Sequence, residues 1–192
     1  PLKRVNAWVH ADQQTHGDIV ITHYGLESGV VYKLGRELRN LNKQNQRLKL
    51  HLDLLPDVSL QQLQQKLQGN KKQSLTNLWR KAGLDTVKIN LLREIVDKRF
   101  WSDAKQMAQQ IKQLAIDLDG FRPIEEAISC AGGVKSSVLS KQLQLQSNSY
   151  VFCCGEMLDW DAPTGGYLLT ACFATGRAAG QGVHEFLESS SV

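Results

Sequence analysis

No apolar run in the 192 residues is long enough to cross a bilayer. The start carries no basic, apolar, small-residue signal of the kind that directs secretion. Cysteine is scarce: Cys130, Cys153, Cys154 and Cys172 all fall in the last third, and none forms Cys-x-x-Cys. That pattern excludes a disulfide framework and points to reduced, small, half-apolar core residues of a cytoplasmic protein. The adjacent Cys153 and Cys154 also admit a sharper reading, a vicinal redox pair. There is no internal repeat, and no nucleic-acid motif accompanies the basic residues. What is present is ordinary for a globular chain of one or two domains: 42% hydrophobic and 22% charged residues, enough to bury a core.

The net charge of +4 is unevenly spread. Residues 1–120 carry 19 Lys and Arg against 12 Asp and Glu; residues 121–192 carry 4 against 7. The basic part is also rich in glutamine, as at Gln61, Gln62, Gln64, Gln65, Gln106, Gln109 and Gln110. Its cations are scattered, which fits solvated helix faces better than a nucleic-acid patch. His10, His16 and His23 lie near one another in sequence, yet their spacing matches no standard metal site.

Arg4–Val9 and Asp18–Thr22 read as strands joined by a polar hairpin tip. After a turn at Gly25 and Gly29, Val30, Val31, Leu34, Leu38 and Leu41 follow helical spacing, weakened at Gly35. Leu48, Leu50, Leu52 and Leu54 alternate as a strand ended by Pro56. From Asp57 to Asp119 the pattern is helical. Asp57 or Ser59, Ser74, Asp85 and Ser102 stand as caps, with Gly69 and Gly83 as stops. The last of these helices is expected to carry Ala104, Met107, Ala108, Ile111, Leu114, Ala115 and Leu118. Beyond Phe121 the texture changes. Ile124–Ile128 reads as a strand, Cys130–Val134 as a tight turn, and Leu139–Leu145 as a polar connection. Tyr150–Cys154 reads as a buried strand, Gly166–Leu187 as a long helix, and the Ser-rich end as a polar tail.

The chemistry gathers in VFCCGEMLDWDAPTGGYLLTACFATGRAAG, Val151 to Gly180. Gly155 lets a ligand lie against the backbone, and Glu156 offers a carboxylate to hydroxyl groups. Gly165 and Gly166 place backbone N–H groups at a helix N-terminus, whose partial positive charge suits an anion or an electron-rich carbonyl. Ala171, Ala174, Gly176, Ala178, Ala179 and Gly180 make the helix approachable by another element or a flat ligand. A tightly packed strand–helix pair would require the same residues.

This wording resembles the C-terminal FAD-binding segment of a bacterial flavoprotein family, the NAD(FAD)-utilising dehydrogenases or aminoacetone oxidase-like and BaiN-like flavoproteins. The signature falls on Gly155, Glu156, Leu158, Asp159, Gly165, Gly166, Tyr167, Ala179 and Gly180. Two further matches keep the family's order: Thr22–Gly29 (THYGLESG) and Ala131–Val134 (AGGV). The resemblance therefore spans nearly the whole chain. Tyr167-Leu168-Leu169-Thr170 departs from the Tyr-Asn-Leu-Gln of many members, losing any polar contact of that Asn. No Gly-x-Gly-x-x-Gly follows a strand, although the family carries that fingerprint at its N-terminus to cradle the FAD pyrophosphate.

With the Pro1 start, that gap gives the expectation of a C-terminal portion of a longer protein, inactive alone and prone to self-association. The resemblance implies a mixed α+β and α/β architecture. Residues 1–120 would be an insertion domain, part barrel and part helical, on the substrate side. Residues 121–192 would be the C-terminal strand–helix part of a Rossmann-like FAD-binding domain. It implies an FAD-dependent oxidoreductase acting on a small molecule, with NAD(P)H as a candidate donor. Gly155 and Glu156 would meet the ribityl chain. Gly165, Gly166, Tyr167 and Leu168 would face the pyrimidine side of the flavin. Gly132 and Gly133 would let the backbone pass the cofactor, Asp159 would shape the loop, and His23 could face the flavin. No residue is assigned as catalytic acid or base, and no metal is expected. The competing expectation is a non-enzymatic helical module that docks on protein or nucleic acid.

Overall fold

A computed structural model describes residues 1–69, 73–127 and 129–190. The chain divides into two compact units, Pro1–Gly120 and Phe121–Val192.

The first unit is built on a five-stranded antiparallel sheet. Its strands are β1 (Leu2–Trp8), β2 (Thr15–Thr22), β3 (Gly25–Glu27), β4 (Leu48–Asp53) and β5 (Leu114–Leu118), in the order β3-β2-β1-β4-β5. In β1 the buried residues are Leu2, Val5, Ala7 and Trp8, and the first three of these share the central core, which strict alternation cannot place on one face. The register against β2 shifts between Leu2 and Val5, and Arg4 there has φ +47°. This bulge supplies the extra residue that keeps both ends of the strand facing the core. β2 begins earlier than the sequence suggests, so His16 sits in the strand and not in the hairpin tip. In β4, Leu48, Leu50 and Leu52 are buried as their alternation predicts.

The helical spacing after Gly29 forms two helices, α1 (Gly29–Lys33) and α2 (Gly35–Lys43). The break falls at Leu34–Gly35, where a residue without a side chain least favours continued helix. The remaining helices of this unit are α3 (Leu60–Leu67), α4 (Leu75–Ala82), α5 (Thr86–Ile95) and α6 (Ala104–Lys112). Ser59 caps α3 through a reciprocal capping box with Gln62. Ser74 and Asp85 cap α4 and α5, and Gly83 ends α4 in the left-handed conformation. Asp103, not Ser102, caps α6. The expected extension of α6 to Leu118 does not form: Leu114–Leu118 is β5, paired with β4. Leu-Ala-Ile-Asp-Leu fits a period of two as well as a helical one, and pairing satisfies the backbone groups along β4. A single core joins sheet and helices, including Leu50, Leu52, Leu54, Leu63, Trp79, Ile89, Leu92, Met107 and Ile111. Lys112 fastens α6 to the end of β4 through Asp53 (2.6 Å) and to the β4–α3 loop through the carbonyls of Leu55 (2.9 Å) and Val58 (2.8 Å).

The second unit holds an antiparallel ribbon, β6 (Gln144–Leu145) and β7 (Asn148–Phe152), and the helix α7 (Tyr167–Ser190). Ile124–Glu126 is a short 3-10 turn where a strand is expected, because Pro123 and the 3-10 bonds hold it. Ile128, the end of that expected strand, lies outside the described residues. β7 is not buried: Tyr150 is 81% exposed, Val151 is exposed and Phe152 half-buried. Its one neighbour in the ribbon covers an edge, not a face. Cys153 is buried and Cys154 and Cys172 half-buried, whereas Cys130 is exposed, contrary to the expected core position.

Candidate flavin-binding site

The candidate residues of the second unit come together through three sets of hydrogen bonds. First, Gly132 N–H donates to the Trp160 carbonyl (3.1 Å), Val134 N–H to the Met157 carbonyl (2.8 Å), and Asp159 N–H to the Val134 carbonyl (2.9 Å). These bonds lay the Gly132–Gly133 segment alongside Met157–Trp160. Second, Gly155 opens a 3-10 turn (Gly155–Met157) and donates its N–H to Thr175 Oγ1 of α7 (3.1 Å). Third, Glu156 Oε1 accepts from Cys130 N–H (3.3 Å) and Ser129 Oγ (3.5 Å). One carboxylate oxygen thus anchors the loop that leads into Gly132, which the sequence reading did not foresee.

The glycines separate into two kinds. A Cβ at Gly133 would lie 2.6 Å from the Leu158 carbonyl oxygen and closer still to that of Met157. Gly133 is therefore required by the chain itself. Gly132 (φ +100°) and Gly166 (φ +87°) have the same need for a left-handed backbone, but no atom lies within 4 Å of where a Cβ would sit. Their backbones are bare. Gly155 is intermediate, with Cys172 Sγ at an ordinary 3.9 Å from its missing Cβ. Gly165 (φ +110°) turns the chain into α7, its missing Cβ 3.6 Å from the Tyr167 ring.

At the start of α7, Thr170 N–H and Oγ1 both donate to the Gly166 carbonyl (3.0 Å each). Tyr167 is exposed and Leu168 half-buried. The N–H groups preceding Thr170 are those a helix leaves without an intrahelical partner. Along α7, Gly176 and Gly180 also have open space at their missing Cβ. Gly182 instead meets the Gln142 carbonyl oxygen (2.6 Å) and the Phe152 ring (3.2 Å), so it is where the helix packs on the ribbon. Sequence reasoning missed Gly182 and also Trp160, whose Nε1 is buried without a hydrogen-bond partner among the described residues.

In the first unit, THYGLESG forms the β2–β3 turn and the entry to α1. Thr22 Oγ1 donates to the Gly25 carbonyl (3.0 Å), and Ser28 Oγ accepts from Val31 N–H (3.4 Å). His23 is exposed with its ring edge-on to Tyr24 (4.8 Å), and His16 Nδ1 lies 2.8 Å from Asn6 Oδ1. Among the described residues no group of three His, Cys, Asp or Glu could hold a metal ion. No helix among them is long and apolar enough to cross a membrane.

Comparison with known proteins supports the family resemblance. The family model described as HI0933-like protein barrel and H2TH domain matches residues 1–129. The chain belongs to this HI0933-like, BaiN-like family of flavoproteins. The match covers the whole first unit, so its sheet and helices are those of the family's barrel and H2TH domain. A relative is the 3-dehydro-bile acid delta(4,6)-reductase of Clostridium scindens, 24% identical over 184 residues. The similarity covers 88% of this chain but 44% of that protein, so the chain spans less than half the relative's length.

Proposed function

We propose that the chain is part of an FAD-dependent oxidoreductase acting on a small molecule. Residues 121–192 supply the C-terminal, Rossmann-like part of its FAD-binding domain, and residues 1–120 supply the inserted domain. The observation that carries this reading is the bare backbone at Gly132 and Gly166, left-handed positions where, among the described residues and apart from the adjacent ones, no atom lies within 4 Å of a Cβ. The left-handed φ by itself calls for glycine at both positions; the empty space beside each backbone is what leaves room for a flat cofactor to lie against it. Trp160 Nε1, in the segment bonded to Gly132 and without a hydrogen-bond partner among the described residues, adds a donor that seeks an acceptor.

In this reading Gly155 and Glu156 hold the ribityl chain. Glu156 Oε1 braces the Cys130 loop, and its second oxygen is left to accept from ribityl hydroxyls. The N–H groups of Gly166, Tyr167 and Leu168 face the pyrimidine edge of the flavin, with Gly165 making the turn that presents them. Bound FAD supplies reversible two-electron chemistry. The helix N-terminus stabilises negative charge at that edge with donors already in place, so no reorganisation is needed when the charge forms. Gly132 lets the cofactor approach, while Gly133 keeps its neighbour's backbone in position. The relative in Clostridium scindens is a reductase; by analogy we assign reduction, with NAD(P)H as donor, to this chain.

The test is the visible spectrum of the protein carrying every residue that its gene encodes, purified with FAD added. Flavin absorption near ~450 nm that releases as FAD on denaturation is the expected result. Gly166→Leu, which fills the bare position, and Glu156→Ala should each lower FAD occupancy. A protein that stays colourless and refuses FAD overturns the proposal.

A further inference from the structure

The first unit contains a cavity of about 440 Å³ that the flavin reading does not use. It lies where the bulge of β1, the β4–α3 loop, the end of α4 and the start of α5 meet. Lys3, Arg4, Lys66 and Lys88 line it, with Asp57 and Asp85. None of the four cations forms an ion pair among the described residues. Asp85 is committed in part to α5, accepting the Lys88 N–H (2.9 Å) as its cap. The remaining wall is mostly apolar, with Leu55, Pro56 and Val58 from the β4–α3 loop.

Lys88 is the unusual member. It is 6% exposed, and Nζ donates to the Leu54 carbonyl at 2.7 Å. An ammonium has three donors, and this is the one hydrogen bond that Nζ forms among the described residues. Desolvation by burial pushes its pKa below the ordinary lysine value; the charge of Arg4 adds to this, against the opposing pull of Asp85, Asp53 and Asp18. Arg4 is there because of the bulge: its backbone N–H is held by Asp18 Oδ1 (2.8 Å) at a φ of +47°, a strained value for arginine. Bulges and strained residues re-aim side chains and concentrate next to functional sites. Here the bulge brings a second cation to the cavity that already holds the buried ammonium.

We propose that this cavity binds a small organic anion. Lys88 and Arg4 hold its carboxylate or phosphate head, Lys3 and Lys66 add long-range attraction, and its apolar body lies on the Leu55–Val58 wall. A cavity of this volume suits a small ligand. The assignment uses the first unit alone and stands or falls separately from the flavin site.

Calorimetric titration of the full chain with hexanoate, hexyl phosphate and hexan-1-ol tests it. At least one anion should saturate, the alcohol should bind at least about tenfold more weakly, and Arg4→Gln should weaken the anion by about tenfold. Saturation by hexanoate alone assigns a carboxylate head, and by hexyl phosphate alone a phosphate head. Lys88→Met should weaken binding further. Because that change is buried, the exposed Arg4→Gln carries the test if Lys88→Met fails to fold. Saturation by neither anion up to ~10 mM overturns the proposal. So does equal binding of the alcohol, or an affinity that Arg4→Gln leaves unchanged. The visible flavin spectrum reads none of these outcomes.

Discussion

Adjacent glycines in this chain do different jobs, and substitution separates them. Gly133→Ala would drive a methyl group into the Met157 and Leu158 carbonyls, which accept or adjoin the bonds that pair the two segments. A loss of roughly 2–4 kcal/mol is expected, read as a fall in the midpoint of urea unfolding. Gly132→Ala meets no atom and carries only the left-handed backbone cost of about 1 kcal/mol. If the flavin reading holds, Gly132→Ala should reduce FAD affinity more than stability. His51 offers a prediction in pH. Burial first, then the charge of Lys49, lowers its pKa below the ordinary imidazole value; its Nδ1 is buried without a hydrogen-bond partner among the described residues, and its ring stacks on Trp8 at 5.8 Å. The unfolded chain therefore takes up a proton at a higher pH than the folded one. The stability of neutral His51 is present above the ordinary imidazole pKa and is lost as pH falls toward the folded value. His51→Phe, which keeps a ring beside Trp8, should flatten this acid-side slope in denaturant unfolding at pH 7.5 and pH 5.5.

At the scale of elements, the caps and one break account for most of the helix boundaries. Ser59 and Gln62 satisfy each other's backbone N–H groups at the start of α3, at 3.2 Å in both directions. Ser59→Ala removes one of these and should destabilise by about 1 kcal/mol in urea unfolding. Gly35 marks the division of α1 from α2, and its missing Cβ lies 2.9 Å from the Arg39 guanidinium, the far end of a flexible side chain. α7 is different in kind. Its small residues leave open space at Gly176 and Gly180 and close contact at Gly182, so one helix both packs and remains approachable. Gly182→Val should separate the helix from the Gln142–Phe152 ribbon, whereas Gly180→Ala should be tolerated in thermal unfolding.

For the molecule as a whole, the two units differ in how their apolar residues are used. The first unit closes a core of sheet and helices around Trp79, Leu52 and Ile111. In the second, among the described residues, only Leu139, Cys153 and Ala179 are buried hydrophobics, while Tyr150, Tyr167, Leu169 and Phe173 are exposed. Protection against hydrogen exchange follows buried packing, so the amides of β1, β4 and α6 should exchange far more slowly than those of β7 and α7. Comparable protection in β7 would contradict the exposure seen here.

The sequence by itself determined several helix caps, the alternation of β4 and the family. Ser74, Gly83 and Asp85 announce their helices because capping is decided by a residue and the backbone within three positions of it. The leucine alternation of β4 was legible for the same reason. The motifs around Gly155, Gly165 and Gly132 carried the family resemblance because each is a short run of residues read in order along the chain. Tertiary structure alone decided the rest. Leu114–Leu118 fits both periods, and only the neighbouring β4 makes it a strand. The bulge at Arg4 follows from pairing with β2, and the cavity it helps to line draws on residues from β1 to α5. Whether a glycine is bare, like Gly132, or wedged, like Gly133, depends on carbonyls some 25 residues away along the chain. Local chemistry is written along the sequence; distances between remote segments exist only once the chain has folded.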